Sequence, residues 1–138
     1  MVDLVFVAHG RLAPEVKNSL MMVYGEIPNI HPVEFLANEG FDTVKGKIAD
    51  LLPQPGGRVL ILADLFGGTP YNAACAVAME TELDCQIEVI SGLSLPLALE
   101  AEVLSTSDDL DLIKTQLLDM APGIVRAFER VDDDDDDL

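Results

Sequence analysis

The feature that most constrains the fold is a repeated order along the chain, in which a short apolar run precedes a segment with helical spacing. The run from Val2 to Ala8 is almost continuously apolar, which is typical of a strand covered on both faces. Similar runs occur at 30–36, 58–63 and 85–90. Strands separated by single helices require parallel pairing with right-handed crossovers. The pattern therefore predicts an α/β fold built as a three-layer sandwich.

The order of the strands follows in part from proline placement. Pro32 lies within the second run and predicts an edge strand, because proline cannot donate to a β-ladder. We expect a mainly parallel open sheet with strand order 2-1-3-4. Residues 1–131 are predicted to form one domain, and 124–131 are predicted to contribute a last strand. Residues 132–138 are predicted to be a disordered acidic tail, because dense like charges stay solvated.

Charge and composition exclude several classes of protein. The formal net charge of −17 opposes binding to phosphate backbones, so nucleic acid is not an expected partner. No apolar run reaches the 18 or so residues of a membrane span, and the first residues lack the features of a signal peptide. Cys75 and Cys85 form no metal-like cluster and are interpreted as buried thiols in a reducing cytosol. We therefore expect a cytoplasmic protein without a metal site.

Two segments whose residues could take part in chemistry follow two of the predicted strands. His9 and Gly10 come directly after the first strand, and Asp64 to Pro70 come directly after the third. Ligands of open α/β sheets bind at the carboxyl ends of strands. If the first and third strands are neighbours, about 4.8 Å apart, the two segments are adjacent. The sequence therefore predicts one site at this edge of the sheet.

His9 and Asp64 are the predicted catalytic residues of this site. A neutral histidine can act as a nucleophile, and its two ring nitrogens can serve different purposes. A carboxylate that accepts one ring N–H fixes the tautomer and leaves the other nitrogen free to attack. The second histidine, His31, lies inside the predicted edge strand beside Pro32 and is interpreted as a packing residue without a chemical role.

The predicted phosphate-binding residues surround this pair; they are Gly10, Gly67, Gly68 and Thr69. Glycines let backbone N–H groups approach an anion without obstruction by side chains. A helix that starts at Pro70 directs its positive end toward the same point, which suits a phosphate. Thr69 is predicted to cap this helix, so capping and phosphate binding would compete for its hydroxyl oxygen.

Three stretches carry a resemblance to a known family; they are Val5–Gly10, Leu62–Ala74 and Glu88–Pro96. In these stretches the chain resembles the IIA component of the mannose-family phosphoenolpyruvate-dependent sugar phosphotransferase system. The resemblance extends nearly to Val131, and the middle stretch is its most specific part. Members of the family usually have Ser or Thr at the position of Thr69, and some have Trp where this chain has Phe66. The acidic tail is no part of the family pattern.

The resemblance implies a phosphocarrier that receives a phosphoryl group on His9 from the phosphocarrier protein HPr and passes it to a IIB component. Many relatives continue into a IIB domain whereas this chain stops, so a separate IIB partner is expected. The resemblance also implies a homodimer in which the last strand, Ile124 to Val131, is exchanged and pairs antiparallel. Contact with the membrane is expected only through the sugar permease complex. A relay between histidines needs no metal, and no cofactor is expected.

Two other functions are compatible with the residues. The phosphotransfer subunit of a dihydroxyacetone kinase looks similar in fold and also has an early histidine, although that group tends to lack the full Gly-Gly-Thr-Pro motif with a following Asn. A non-catalytic anion- or ligand-binding module could use the same fold, because fold alone does not determine function. The sequence does not identify the transported sugar.

Overall fold

The computed structural model describes residues 1–53, 56–80 and 84–131. Its centre is one parallel sheet with strand order β2-β1-β3-β4, which confirms the predicted order. The strands are β1 (Asp3–His9), β2 (Ile30–Phe35), β3 (Arg58–Ala63) and β4 (Gln86–Ser91). The two central strands, β1 and β3, are the most apolar, because helices cover both of their faces.

Among the described residues, five helices connect and flank the strands, and a short 3₁₀ turn at Ala121–Gly123 follows the last one. They are α1 (Leu12–Tyr24), α2 (Phe41–Ala49), α3 (Thr69–Ala78), α4 (Leu95–Leu104) and α5 (Leu110–Met120). One core lies between the sheet and α1, α4 and α5, and the other lies between the sheet and α2 and α3. The predicted three-layer architecture is therefore confirmed.

The alternation of side chains along β1 assigns each residue to one of these two cores. Leu4 and Phe6 pack into the core with α1, α4 and α5, whereas Val5 and Val7 pack into the core with α2 and α3. The period of two residues continues to the end of the strand. His9 therefore lies on the same side of the sheet as Val5 and Val7, toward α2 and α3.

The segment 124–131 does not form a strand within this single chain. The side chains of Val125 and Phe128 are each 88% exposed. The expected fifth strand is thus absent from the sheet of the isolated chain. Within the described residues, the outer side of β4 has no strand partner. Exchange of the segment between two copies stays a prediction. The predicted disorder of the tail at 132–138 lies outside the described residues.

Within the described part of the chain, no helix combines the length and the apolar character that crossing a membrane requires.

Candidate active site

His9 is the last residue of β1 and stands where the chain turns away from the sheet. Gly10 follows with φ of +59°, a left-handed conformation that favours glycine. The N–H of Gly10 donates to the carbonyl oxygen of Phe35 on β2, at 2.7 Å. This turn holds the backbone of His9 between β2 and β3. It also means that the N–H of Gly10 is engaged within the protein.

Asp64 directly follows β3 and contacts His9 as the sequence predicts. Its Oδ2 lies 2.9 Å from Nδ1 of His9 and also accepts the backbone N–H of His9, at 3.0 Å. The side chain of His9 is 48% exposed, whereas that of Asp64 is only 13% exposed. The carboxylate is therefore a fixed part of the protein, and the imidazole that it holds faces outward.

This contact determines the tautomer of the neutral ring. An ionised carboxylate only accepts hydrogen bonds, so Nδ1 of His9 carries the proton and Nε2 carries the free electron pair. The other oxygen of Asp64, Oδ1, is buried and has no hydrogen-bond partner among the described residues. Both hydrogen bonds to the carboxylate thus come from His9, so His9 is the principal group that stabilises its charge.

An aromatic side chain supports His9 from the opposite side. The ring of Phe35 meets the imidazole edge to face, with ring centroids 5.5 Å apart and an interplanar angle of 70°. Such a pair contributes roughly 0.5–1.5 kcal/mol beyond the burial of area. Phe35 and Asp64 together fix the plane of the imidazole.

The loop after Asp64 closes the third side of the site. Its residue Gly68 approaches the ring so closely that an added Cβ would lie 3.2 Å from Cε1 of His9. Nε2 is bonded to the same Cε1 and therefore lies beside this loop. The N–H of Gly68 donates to the carbonyl oxygen of Leu65, at 3.0 Å, so it is occupied within a turn. Gly67 has φ of +79°, which a residue with a side chain would adopt at a cost.

Helix α3 begins immediately after these glycines, one residue earlier than the sequence predicts. The N-cap is Gly68, so the prediction that Thr69 caps the helix is wrong. Gly68 already has the extended conformation of a cap, which makes Thr69 the first helical residue and Pro70 the second. Within the described residues the Thr69 hydroxyl makes no hydrogen bond, so the expected competition between capping and phosphate binding does not arise.

The start of α3 presents unpaired donors close to the imidazole. The first N–H groups of a helix have no intrahelical acceptor. In the described chain, the N–H of Thr69 has no backbone acceptor outside the helix either. Aligned peptide dipoles add partial positive charge at this end. Both features lie next to Gly68, whose added Cβ would be 3.2 Å from Cε1 of His9.

Two further titratable side chains, those of Arg11 and Tyr71, lie close to His9 and Gly68 in the sequence. Arg11, at the N-cap of α1, is 77% exposed and contacts Glu34 through a single 3.3 Å pair. A hydrogen bond with the Cys75 thiol and partial burial raise the pKa of Tyr71, so this phenol stays protonated at neutral pH. No group of three metal-ligating side chains occurs among the residues that the structure describes.

The second histidine lies away from this edge. His31 pairs in register with Val5 near the start of β1, and its Nε2 is 3.8 Å from Oδ1 of Asp3. The structure thus brings His9, Asp64 and the glycine loop together and leaves His31 outside the site. The two cysteines are free thiols of intermediate exposure rather than buried ones.

Sequence reasoning missed two residues that shape the site. Phe35 closes one side, and Asn72 donates from Nδ2 to the carbonyl oxygen of Gly67, at 3.1 Å. Only the position of Phe35 at the end of a strand beside His9 could have indicated its role, once the strand order was assumed. Asn72 stands one turn into α3, within reach of the loop that it follows.

These features define a class of protein before any comparison is made. It is a three-layer α/β protein with a half-exposed histidine, hydrogen-bonded to a carboxylate, at the edge of the sheet beside the N-terminus of a helix. Comparison with known proteins identifies the family within this class. The family model for mannose-type EIIA, described as the PTS system fructose IIA component, matches residues 3–117.

Individual relatives agree with this match. The sorbose-specific EIIA component of Lacticaseibacillus casei is 32% identical over 119 residues, which cover 85% of this chain and 83% of that protein. The sorbose-specific EIIA component of Klebsiella pneumoniae is 43% identical over 101 residues, or 72% of each chain. The mannose/sorbose-specific IIA subunit from Enterococcus faecalis superposes with a TM-score of 0.84 at 30% identity, covering 95% of this chain and 97% of that chain.

The chain therefore belongs to the mannose-type EIIA family of the phosphotransferase system. It is a component of the phosphoryl-transfer system for sugar uptake, as its resemblance in sequence predicts.

Replacing Gly68 with alanine should destabilise the protein by about 1–2 kcal/mol. The added Cβ would lie 3.2 Å from Cε1 of His9 and 3.3 Å from the carbonyl oxygen of Leu65. The backbone itself does not oppose alanine, because φ of −76° and ψ of 168° are open to any residue. Thermal unfolding of the Gly68→Ala variant measures the effect.

Gly40 offers a matched control. It is the N-cap of α2, it is also extended, and nothing lies within 4 Å of its added Cβ. Both substitutions exchange glycine for alanine at an N-cap, so the difference between them isolates the crowding at His9. Equal melting temperatures for Gly68→Ala and Gly40→Ala would contradict the close contact.

Proposed function

We propose that His9 accepts a phosphoryl group from phospho-HPr and passes it to a IIB component, so that the chain acts as a phosphohistidine carrier in the cytoplasm. The observation that carries the proposal is the contact between Nδ1 of His9 and Asp64, which leaves Nε2 free beside the start of α3. The transported sugar is not specified by this site, because the component exchanges phosphoryl groups with other proteins.

The transfer itself exchanges one P–N bond for another. The electron pair on Nε2 of His9 attacks phosphorus in line, while the bond from phosphorus to the nitrogen of the donor breaks and its electron pair returns to that donor ring. Delivery to the next protein repeats the exchange in the opposite sense at His9. Catalysis of such a transfer depends on positioning and on stabilisation of charge rather than on further covalent chemistry.

Asp64 and the loop have separate parts in this proposal. The carboxylate orients the imidazole and stabilises the positive charge that develops on the ring as phosphorus is bound. The N–H and hydroxyl of Thr69, together with the helix end, hold the phosphoryl oxygens. Gly67 and Gly68 keep the space beside Nε2 free of side chains. Gly10 contributes by turning the chain, since its own N–H is occupied.

Replacing His9 with alanine should abolish phosphate uptake without unfolding the protein. The side chain is half exposed and ends a strand, so its loss removes little from either core. The measurement is incorporation of acid-labile phosphate from phosphoenolpyruvate in the presence of enzyme I and HPr. His31→Ala is the matched control and should be phosphorylated like the parent.

The outcomes of this assay separate the competing functions. Phosphorylation of His9→Ala together with its loss in His31→Ala would overturn the site. No phosphorylation of the parent chain would favour a non-catalytic anion- or ligand-binding module. Uptake followed by delivery to a dihydroxyacetone kinase subunit, and not to a IIB component, would favour the phosphotransfer subunit of that kinase.

The homodimer is a separate part of the proposal and is supported by an unsatisfied edge. The outer side of β4 has no strand partner within the described chain. A largely apolar groove of about 520 Å³ lies between β4 and α5, and Ile124 and Val125 line its end. The exposed apolar residues of 124–131 need a surface to cover them, and the equivalent groove of a second copy offers one.

Truncation after Gly123 should convert the protein from a dimer to a monomer, because it removes the segment that would pair with β4 of the second copy. Light scattering at several concentrations measures the mass. Truncation after Val131 is the control: it removes only Asp132 to Asp137 and Leu138 and should leave the dimer intact. A stable dimer after truncation at Gly123 would rule out strand exchange as its basis.

A further inference from the structure

Asn72 makes two hydrogen bonds to the loop that faces His9. Its side-chain Nδ2 donates to the carbonyl oxygen of Gly67, at 3.1 Å, and its backbone N–H donates to the carbonyl oxygen of Gly68, at 2.9 Å. Asn72 itself is exposed. One residue in the first turn of α3 therefore holds two successive carbonyl groups.

Fixing these carbonyls also fixes the N–H groups on the same peptide planes. In a trans peptide the C=O and N–H bonds point in opposite directions. The carbonyl of Gly67 is held by Asn72, so the N–H of Gly68 points the other way, to the oxygen of Leu65. The carbonyl of Gly68 is directed into the helix, so the N–H of Thr69 points out of the helix end, toward the anion side.

The loop needs such a restraint because its backbone has unusually wide conformational freedom. Gly67 and Gly68 are adjacent glycines, and glycine has the widest choice of backbone conformations of any residue. If the Gly67–Gly68 peptide rotated, its carbonyl oxygen could face His9 and repel a phosphoryl group. The backbone hydrogen bond from Asn72 belongs to the helix, whereas the hydrogen bond from its side chain is available only to a residue with a suitable donor.

We propose that Asn72 is a positioning residue for phosphoryl transfer: its side-chain amide fixes the Gly67–Gly68 peptide so that the start of α3 presents donors, and not carbonyl oxygens, to the group on His9. The inference rests on the proposed function and specifies what holds the Gly67–Gly68 loop of the site in place. It assigns Asn72 to the rate of transfer rather than to docking of the donor protein, because its side-chain amide is engaged with the carbonyl oxygen of Gly67.

Single-turnover transfer from phospho-HPr tests the inference in three variants. Asn72→Ala removes the donor without adding charge. Asn72→Asp keeps the shape but replaces the amide donor with a carboxylate that repels the Gly67 carbonyl. Asn18→Asp is the control, because it makes the same change at an exposed asparagine on α1, whose amide reaches Glu15, at 3.5 Å.

Both variants at position 72 should lower the maximal rate by about 10- to 100-fold, the range expected when a reacting group is misplaced by about 1 Å. The donor concentration at half-maximal rate should change by less than about twofold, because uniform binding is unaffected. Asn18→Asp should match the parent. Amide exchange at Gly68 should be about tenfold faster in Asn72→Ala, since the turn that protects this N–H opens more often.

Parent-like transfer by Asn72→Ala would overturn the inference. A change in the donor concentration at half-maximal rate, with the maximal rate unchanged, would also overturn it. A slow Asn72→Asp beside a normal Asn72→Ala would assign the effect to charge and would also overturn it. If Asn72→Ala does not fold, amide exchange at Gly68 in Asn72→Asp decides, because exchange reports on the peptide and not on charge near the phosphoryl group, and a carboxylate in the first turn of a helix is favourable for folding. Unchanged exchange in that variant would overturn the inference. If the parent accepts no phosphate, the proposed function fails. Unchanged amide exchange at Gly68 in the variants at position 72 would then independently reject the restraint of the Gly67–Gly68 peptide by Asn72.

Discussion

The hydrogen bond between Nδ1 of His9 and Oδ2 of Asp64 is the interaction on which the site depends. It joins the ends of two neighbouring strands, β1 and β3, and these are the strands buried on both faces. A fixed carboxylate selects the ring nitrogen that keeps its free electron pair, and it does so before any partner arrives. Because Oδ1 of Asp64 has no partner in the described chain, the carboxylate and the imidazole stabilise each other.

The remaining parts of the site act on the opposite side of the ring. Phe35 limits its rotation, and the glycines allow the start of α3 to approach without side chains between. The helix contributes partial charge that needs no counterion and no reorganisation. The proposed mechanism thus combines a fixed carboxylate behind the imidazole with an anion-binding surface in front, and that surface depends on the restraint of Gly67 and Gly68 by Asn72.

Much of this arrangement could be predicted from the sequence, because it follows from patterns among residues that are close together along the chain. Continuous apolar runs indicated the buried strands, and the proximity of His9 and Asp64 followed from the strand order. The cap of α3 was predicted one residue too late, since the conformation of Gly68 is set by the loop before it and not by the side chain of Thr69. Asn72 and Phe35 were missed because their contacts depend on a folded loop and on a neighbouring strand. The segment 124–131 looked like a strand, but a strand needs a partner, which a single chain does not supply.

The most direct test of the account is nitrogen and phosphorus NMR of the phosphorylated protein labelled with ¹⁵N at histidine. The contact with Asp64 predicts that phosphorus is bonded to Nε2 of His9 while Nδ1 keeps its proton. In an Asp64→Asn variant, whose amide can donate as well as accept, the same account predicts slower phosphorylation of an otherwise folded protein. Phosphorus bonded to Nδ1 of His9 in the parent would contradict the account, because that nitrogen would then have to leave the carboxylate on which the whole site depends.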